Sequence, residues 1–149
     1  MTRPSSLDVL IDLAQNSADD AARQLQQLNG TRLDAQQQLN TLQVYREDYA
    51  QRLQKSMGRG LSASNYHNFR QFIVTLDEAI SLQNKVVVQI DMKLESGRKQ
   101  WRDEKRRLNS YTTLLSRQAQ QQAIRDSRSE QRSNDEISAN LLRRAGKTH

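Results

Sequence analysis

Apolar residues recur along the first third of the chain at alternating steps of four and three. The walk from Leu7 visits Leu7, Ile11, Ala14, Ala18, Ala21, Leu25, Leu28, Arg32, Ala35, Leu39, Leu42, Arg46, Tyr49 and Leu53. Twelve of these fourteen positions are apolar or aromatic. A 3.5-residue repeat held over this length is typical of a coiled coil rather than of an ordinary surface helix. It predicts a helix over about residues 5–57, capped by Ser5 or Ser6.

The same spacing returns in the second half of the chain. From Phe69 it visits Phe69, Ile73, Leu76, Ile80, Gln83, Val87, Ile90, Leu94, Gly97, Trp101, Glu104, Leu108, Tyr111, Leu115, Gln118 and Gln122. Eleven of the sixteen positions are apolar or aromatic, and the polar ones are most frequent at the end. This pattern predicts a second helix from about residue 63, capped by Ser62 or Ser64 and paired as far as residue 115.

The segment MGRGLSAS at residues 57–64 separates the two repeats. Gly58 and Gly60 accept the left-handed backbone conformation that ends a helix and reverses the chain. A turn over residues 58–62 is therefore expected, and it lets the first helix fold back along the second.

An antiparallel register can be tested by comparing the sizes of the residues that would face each other across the two helices. With the turn near residue 60, facing residues have numbers that add to roughly 120. Trp101 then faces Ala18 and Ala21, and Gly97 faces Leu25. Large residues meet small ones, as close packing requires. This agreement favours one folded hairpin over two separate coiled coils.

The predicted fold class is all-α: a long antiparallel two-helix coiled coil, or helical hairpin, forming a single domain over residues 1–149. Beyond Leu115 the second helix has no facing residues, so residues 116–145 are expected to form an unpaired overhang before a frayed C-terminus. Arg32 and Arg46 interrupt the first repeat. They are expected to extend outward and fix the register, with Arg46 against Asp77 or Glu78.

Charge is distributed unevenly along the chain. The net charge is +6, yet residues 93–149 hold 14 Lys and Arg against 7 Asp and Glu. The chain has no cysteine, no signal-peptide core and no apolar run long enough to span a membrane, so a cytoplasmic protein is expected. The basic C-terminal run alternates with acids and lacks clustered aromatic residues, which indicates a solvated helix face more than a nucleic-acid site.

No sequence motif indicates catalysis, a cofactor or a metal. The chain lacks a phosphate-binding glycine loop and a HExxH motif, and its carboxylates are scattered. His67 and His149 have no second histidine nearby. A non-enzymatic protein is expected.

Aromatic residues concentrate near the turn. Five of the seven in the chain gather there, namely Tyr45, Tyr49, Tyr66, Phe69 and Phe72. Only Tyr49 and Phe69 fall on the repeat, and a two-helix core is too narrow to cover the other rings fully. The cluster fits either a partner-binding surface or ordinary packing.

These residues and motifs resemble the FliJ family of the flagellar type III export apparatus. The resemblance spans nearly the whole chain and is carried by LIDLA (10–14), DDAARQL (19–25), AQQQLNTLQVY (35–45), MGRGLSAS (57–64), NFRQFIVTLDEAI (68–80) and WRDEKRRL (101–108). It implies an antiparallel coiled coil that binds the hexameric export ATPase and the membrane export gate and takes part in recycling export chaperones. It also implies peripheral association with the inner membrane through the apparatus.

The resemblance implies an export-gate surface near the turn. It falls on Gln38, Leu42, Tyr45, Tyr49, Phe72, Leu76, Ala79 and Gln83, the last of which is often histidine in relatives. The opposite, basic end is expected to enter the ATPase ring, because positive charge attracts an acidic pore lining. The residues expected there are Leu7, Leu10, Ile11, Arg117, Ile124, Arg125, Arg128 and Leu141.

Two alternatives belong to other classes of protein. One is a basic helical protein that binds nucleic acid, whose affinity would fall steeply with salt. The other is a generic coiled-coil scaffold that homodimerises. A hairpin whose repeat is satisfied internally is expected to be a monomer when alone.

Overall fold

The computed structural model of the chain describes residues 5–146, and within them it contains two helices and no strand. Helix α1 is Ser6–Gly58 and helix α2 is Ala63–Gly146. The two long helices pack against each other, which confirms the predicted all-α helical hairpin. The frayed end predicted after residue 145 lies outside the described residues except for Gly146, which is helical.

Each helix begins at a serine cap. The Asp8 amide donates to Ser5 Oγ (3.2 Å), and the Ser5 amide donates to Asp8 Oδ2 (3.1 Å). This reciprocal pair is a capping box, and its carboxylate also lies favourably at the positive end of the helix dipole. At α2 the Asn65 amide donates to Ser62 Oγ (3.2 Å). Ser5 and Ser62 are thus the caps among the candidates that the sequence offered.

The turn between the helices depends on one glycine. Gly60 has φ of 82°, a left-handed conformation that disfavours residues with a side chain. Gly58 was expected to share that role, but it remains the last residue of α1. The amides of Arg59 and Gly60 donate to the Ser56 and Met57 carbonyls (3.2 and 3.3 Å), which closes the helix with short turns and needs no second left-handed residue.

Burial follows the predicted repeat on both helices. All fourteen repeat positions of α1 from Leu7 to Leu53 are buried or half-buried. On α2 the same holds for the thirteen positions from Phe69 to Tyr111. Leu115 is already 37% exposed, so burial ends one repeat position earlier than the sequence suggested. The reason is length: α1 has few residues before Leu7 to cover a further turn.

The chain divides into two packing units. One comprises residues Ser17–Asp103. Its core is a cluster of buried residues, Ala35, Leu39, Val87, Ile90 and Leu94, against which Leu25, Leu28 and Ile80 pack. Gly97 is in close approach to α1, since a Cβ added there would lie 3.0 Å from Leu25 Cδ2. That contact confirms the predicted pairing of Gly97 with Leu25.

The other unit comprises the chain up to Asn16 and from Glu104 onward. Among its described residues, Ala14 and Leu108 are buried, at 4% and 6% exposure. From residue 112 to residue 146 every side chain is exposed. The described part of the predicted overhang is therefore a helix with no tertiary burial of its own.

Leu94 provides the most direct test of the hairpin core. At 1% exposure it is the most deeply buried large side chain of the described residues. Leu94→Ala is expected to lower the free energy of unfolding by about 2–5 kcal/mol, because it removes buried methyl groups and leaves a cavity. Chemical denaturation followed by circular dichroism measures the effect. Leu114→Ala, at a 47% exposed position, is the matched control and should change stability little.

Candidate partner-binding surface

Three aromatic rings meet across the hairpin near the turn. The ring of Tyr49 on α1 lies 4.4 Å from that of Phe72 and 6.3 Å from that of Phe69, both on α2, measured between centroids. The Arg52 guanidinium lies 5.5 Å from the Tyr49 ring centroid. Tyr49 and Phe69 are half-buried, whereas Phe72 remains 42% exposed. Neighbouring Tyr45 is 54% exposed and Tyr66 39% exposed.

The eight residues expected at the export gate lie on one flank of the hairpin. Tyr49 and Phe72 are in ring contact, and Gln83 Nε2 donates to Gln38 Oε1 (3.3 Å). Leu42 lies between Gln38 and Tyr49 along α1, and it lines the same groove as Gln38 and Gln83. Leu76 is buried, and Leu42, Tyr49, Ala79 and Gln83 are half-buried, so the exposed members of the set are Gln38, Tyr45 and Phe72. We call this set the gate flank. It presents apolar rings near the turn and amide groups farther away.

Gln83 occupies a position of the repeat that would ordinarily be apolar. Its side-chain amide donates to the Ala35 carbonyl (2.9 Å) as well as to Gln38. These bonds satisfy both Nε2 hydrogens in a half-buried place, where an unpaired donor would be costly. The bonds also join the helices at one level, so Gln83 helps to fix the shape of the groove.

Sequence reasoning missed the outer wall of that groove. A volume of about 610 Å³ is lined by Asp34, Gln37 and Thr41 in addition to Gln38, Leu42 and Gln83. Asp34 and Thr41 are seven residues apart, on the side of α1 next to the repeat. Their spacing was available in the sequence, but scattered polar residues at such positions usually belong to a solvated helix face.

The opposite flank carries two ion pairs between the helices. Arg32 Nε donates to Asp91 Oδ1 (2.5 Å), and Arg46 Nε donates to Asp77 Oδ1 (2.5 Å). Both arginines lie on the repeat and reach outward, as predicted, and Asp77 is one of the two partners foreseen for Arg46. The hydrogen bond and the charge of Asp77 raise the pKa of Arg46.

The residues expected at the ATPase ring do not form one compact site. Leu7 and Ile11 are half-buried repeat positions, while Leu10 is 41% exposed. The other five, Arg117, Ile124, Arg125, Arg128 and Leu141, are exposed. Leu141 follows Arg117 by 24 residues on α2, which corresponds to about 36 Å along a helix. A partner would have to follow the helix to contact them all.

The three arginines of this set carry uncompensated charge. Within residues 5–146, no ion pair joins Arg117, Arg125 or Arg128 to a carboxylate. By contrast, Arg98 and Arg102 pair with Glu95, and Arg107 pairs with Glu104. These three unpaired arginines lie on the part of α2 where every described side chain is exposed, so a partner can reach them.

The described residues contain no group of three or more His, Cys, Asp or Glu side chains arranged to hold a metal ion. Over the same range, neither helix has a segment apolar enough to cross a membrane. The features that remain are an exposed aromatic flank and an exposed basic helix. Together with the hairpin they define a class: coiled-coil proteins that present side-chain surfaces to other proteins.

Comparison with known proteins identifies the family. The sequence profile described as "Flagellar FliJ protein" matches residues 3–147. The chain is 34% identical over 137 residues to the flagellar FliJ protein of Salmonella typhi, covering 92% of this chain and 93% of that protein. It is 31% identical over 137 residues, with the same coverage, to the flagellar FliJ protein of Escherichia coli strain K12. The chain belongs to the flagellar FliJ family.

Proposed function

We propose that this protein is a non-enzymatic component of flagellar type III protein export that links the hexameric export ATPase to the membrane export gate. One end of the hairpin binds the ATPase ring and the gate flank binds the gate, so that ATP hydrolysis is coupled to export. Recycling of export chaperones belongs to the same proposal. The protein acts in the cytoplasm and associates with the inner membrane through the apparatus, and residues 5–146 contain no helix apolar enough to span a membrane.

The observation that carries this proposal is the group of aromatic rings on the gate flank, two of which are exposed. Tyr49 and Phe72 contact each other across the helices, while Phe72 and Tyr45 leave about half of their surface in water. Aromatic side chains held rigidly and left exposed are typical anchors of protein interfaces. Family membership supports the identity of the partner, and the unpaired arginines of α2 support a second, acidic contact at the ring.

Sedimentation velocity tests the proposal as a whole. The protein alone is expected to sediment as a monomer and to co-sediment separately with the purified export ATPase and with the cytoplasmic part of the export gate. A fragment of duplex DNA serves as the comparison. Binding that is seen only with DNA, and that falls steeply with salt, would support the nucleic-acid alternative instead. A dimer that binds neither export protein would support the scaffold alternative.

A further inference from the structure

The gate flank extends beyond the eight residues given above. Phe72, Ala79 and Val86 are seven residues apart, so they lie on the same side of α2. Leu82 occupies the adjoining position between Ala79 and Val86. Leu82 is 64% exposed and Val86 is 40% exposed. The apolar surface therefore continues along α2 past Gln83, away from the turn.

An uncompensated carboxylate lies across the groove at the same end. Gln83 bonds to the Ala35 carbonyl, so Asp34 stands at the level of the Leu82 and Val86 extension, and it lines one groove with Gln83. Asp34 is exposed and has no ion pair within residues 5–146. The nearest arginine along the chain, Arg32, is already bonded to Asp91 on the other flank. This end of the groove is thus complementary to a positive charge.

A ligand in the groove can contact side chains, but it finds no unpaired backbone N–H or C=O groups. Both of its walls are helical, and the Ala35 carbonyl additionally accepts from Gln83. An extended peptide would find no backbone groups to pair with, whereas a helix satisfies its own. The furrow between two packed helices also suits the ridge of a third. The length of the apolar surface also suits a bound helix. Phe72 and Val86 are 14 residues apart, which corresponds to about 21 Å along α2.

We propose that the gate flank seats one amphipathic helix of the export-gate partner, about four turns long, with a lysine or arginine that meets Asp34. Its apolar face covers Phe72 and Tyr45 at one end and Leu82 and Val86 at the other. This inference rests on the proposed function and adds to it the length, conformation and charge of the bound segment. Leu82, Val86 and Asp34 are then binding residues that the family resemblance does not include.

Binding titrations with the cytoplasmic part of the gate protein test the extension. Leu82→Ala with Val86→Ala is expected to raise the dissociation constant about tenfold. The matched control is Val88→Ala with Met92→Ala, two exposed apolar residues away from the gate flank, which should stay within about twofold of the parent. Circular dichroism checks that all variants are equally helical, as expected for exposed positions.

The charge is tested separately. Asp34→Lys is expected to weaken binding about tenfold at low salt and to reverse the salt dependence of this contact, because added salt screens the repulsion between the like charges. Glu78→Lys makes the same change on an exposed position of α2 and should leave binding within about twofold. Hydrogen exchange of the gate protein should show one protected segment of about four helical turns that contains a basic residue.

The outcomes separate the inference from the proposed function. If Tyr45→Ala with Phe72→Ala abolishes binding while the Leu82, Val86 and Asp34 variants bind normally, the extension is wrong and the proposed function stands. Normal binding by all of these variants would overturn both. Protection of an extended segment would contradict the bound helix, and so would a homodimer that the Leu82 and Val86 substitutions dissociate.

Discussion

Replacement of both Tyr45 and Phe72 with alanine is expected to weaken binding to the export gate by about a thousandfold and to stop most secretion. Exposed aromatic anchors each contribute about 2 kcal/mol or more when truncation leaves their partner's pocket empty. Tyr45 is 54% exposed and Phe72 is 42% exposed, so a partner can cover a large part of both side chains. Calorimetric titration with the cytoplasmic part of the gate, and secretion assays in cells, provide the measurements.

The fold should survive this double substitution. Neither residue lies on the buried repeat, although Tyr49 loses its ring contact with Phe72, which is worth about 0.5–1.5 kcal/mol. Far-ultraviolet circular dichroism should therefore be unchanged. Val44→Ala with Val74→Ala is the matched control, because both valines are at least half exposed and neither belongs to the gate flank. A double variant of Tyr45 and Phe72 that binds the gate normally would exclude this flank as the binding site.

Removal of residues 116–149 is expected to leave a folded hairpin that no longer stimulates the export ATPase. Side chains from residue 112 to residue 146 are exposed, so the deletion removes no buried contact in that range. It does remove Arg117, Arg125 and Arg128, the uncompensated charges suited to an acidic ring lining. Since the protein is proposed to act on the ATPase only by contact, loss of that surface should remove stimulation.

ATPase turnover at a fixed ratio of the two proteins measures this effect, with circular dichroism and thermal unfolding as checks on the fold. Arg117→Gln with Arg125→Gln and Arg128→Gln tests charge without shortening the helix, because glutamine and arginine have similar helix propensity. This triple variant should lose most stimulation at low salt. Full stimulation by the folded truncation would place the ATPase contact elsewhere on the hairpin.

The helices and their pairing were predictable because the core residues of a coiled coil recur at a regular spacing in the sequence. Positions from Leu7 to Leu53 could be assigned without any knowledge of the partner helix, and all are covered. The pairing of Gly97 with Leu25 followed from one further assumption, a turn near residue 60. Regular geometry allows such inference, since each step along a helix has the same rise and rotation.

Local details were harder to predict because several residues could satisfy the same requirement. Ser5 and Ser6 are both good caps, and only the bonds with Asp8 distinguish them. Gly58 and Gly60 both tolerate left-handed backbone, yet one such residue is enough. At the gate flank, the apolar rings could be found by their clustering. Asp34 could not, because a carboxylate on a helix surface becomes informative only when its neighbours across the groove are known.

The two inter-helix ion pairs have a consequence for misalignment of the hairpin. Arg32 and Arg46 are 14 residues apart, as are their partners Asp91 and Asp77. Asn84 lies halfway between the two aspartates. Arg70 lies seven residues before Asp77, and Arg98 lies seven residues after Asp91. A coiled coil that slips by one heptad still places apolar residues on its seam, so these ion pairs add to the size matching of Gly97 with Leu25 in penalising the error. Here a slip in one direction would set Arg32 against Arg98, and a slip in the other would set Arg46 against Arg70. Either shift replaces the two Arg–Asp attractions by one repulsion between arginines and one contact of an arginine with the neutral Asn84. The charges therefore favour one alignment of the two helices over both neighbouring ones.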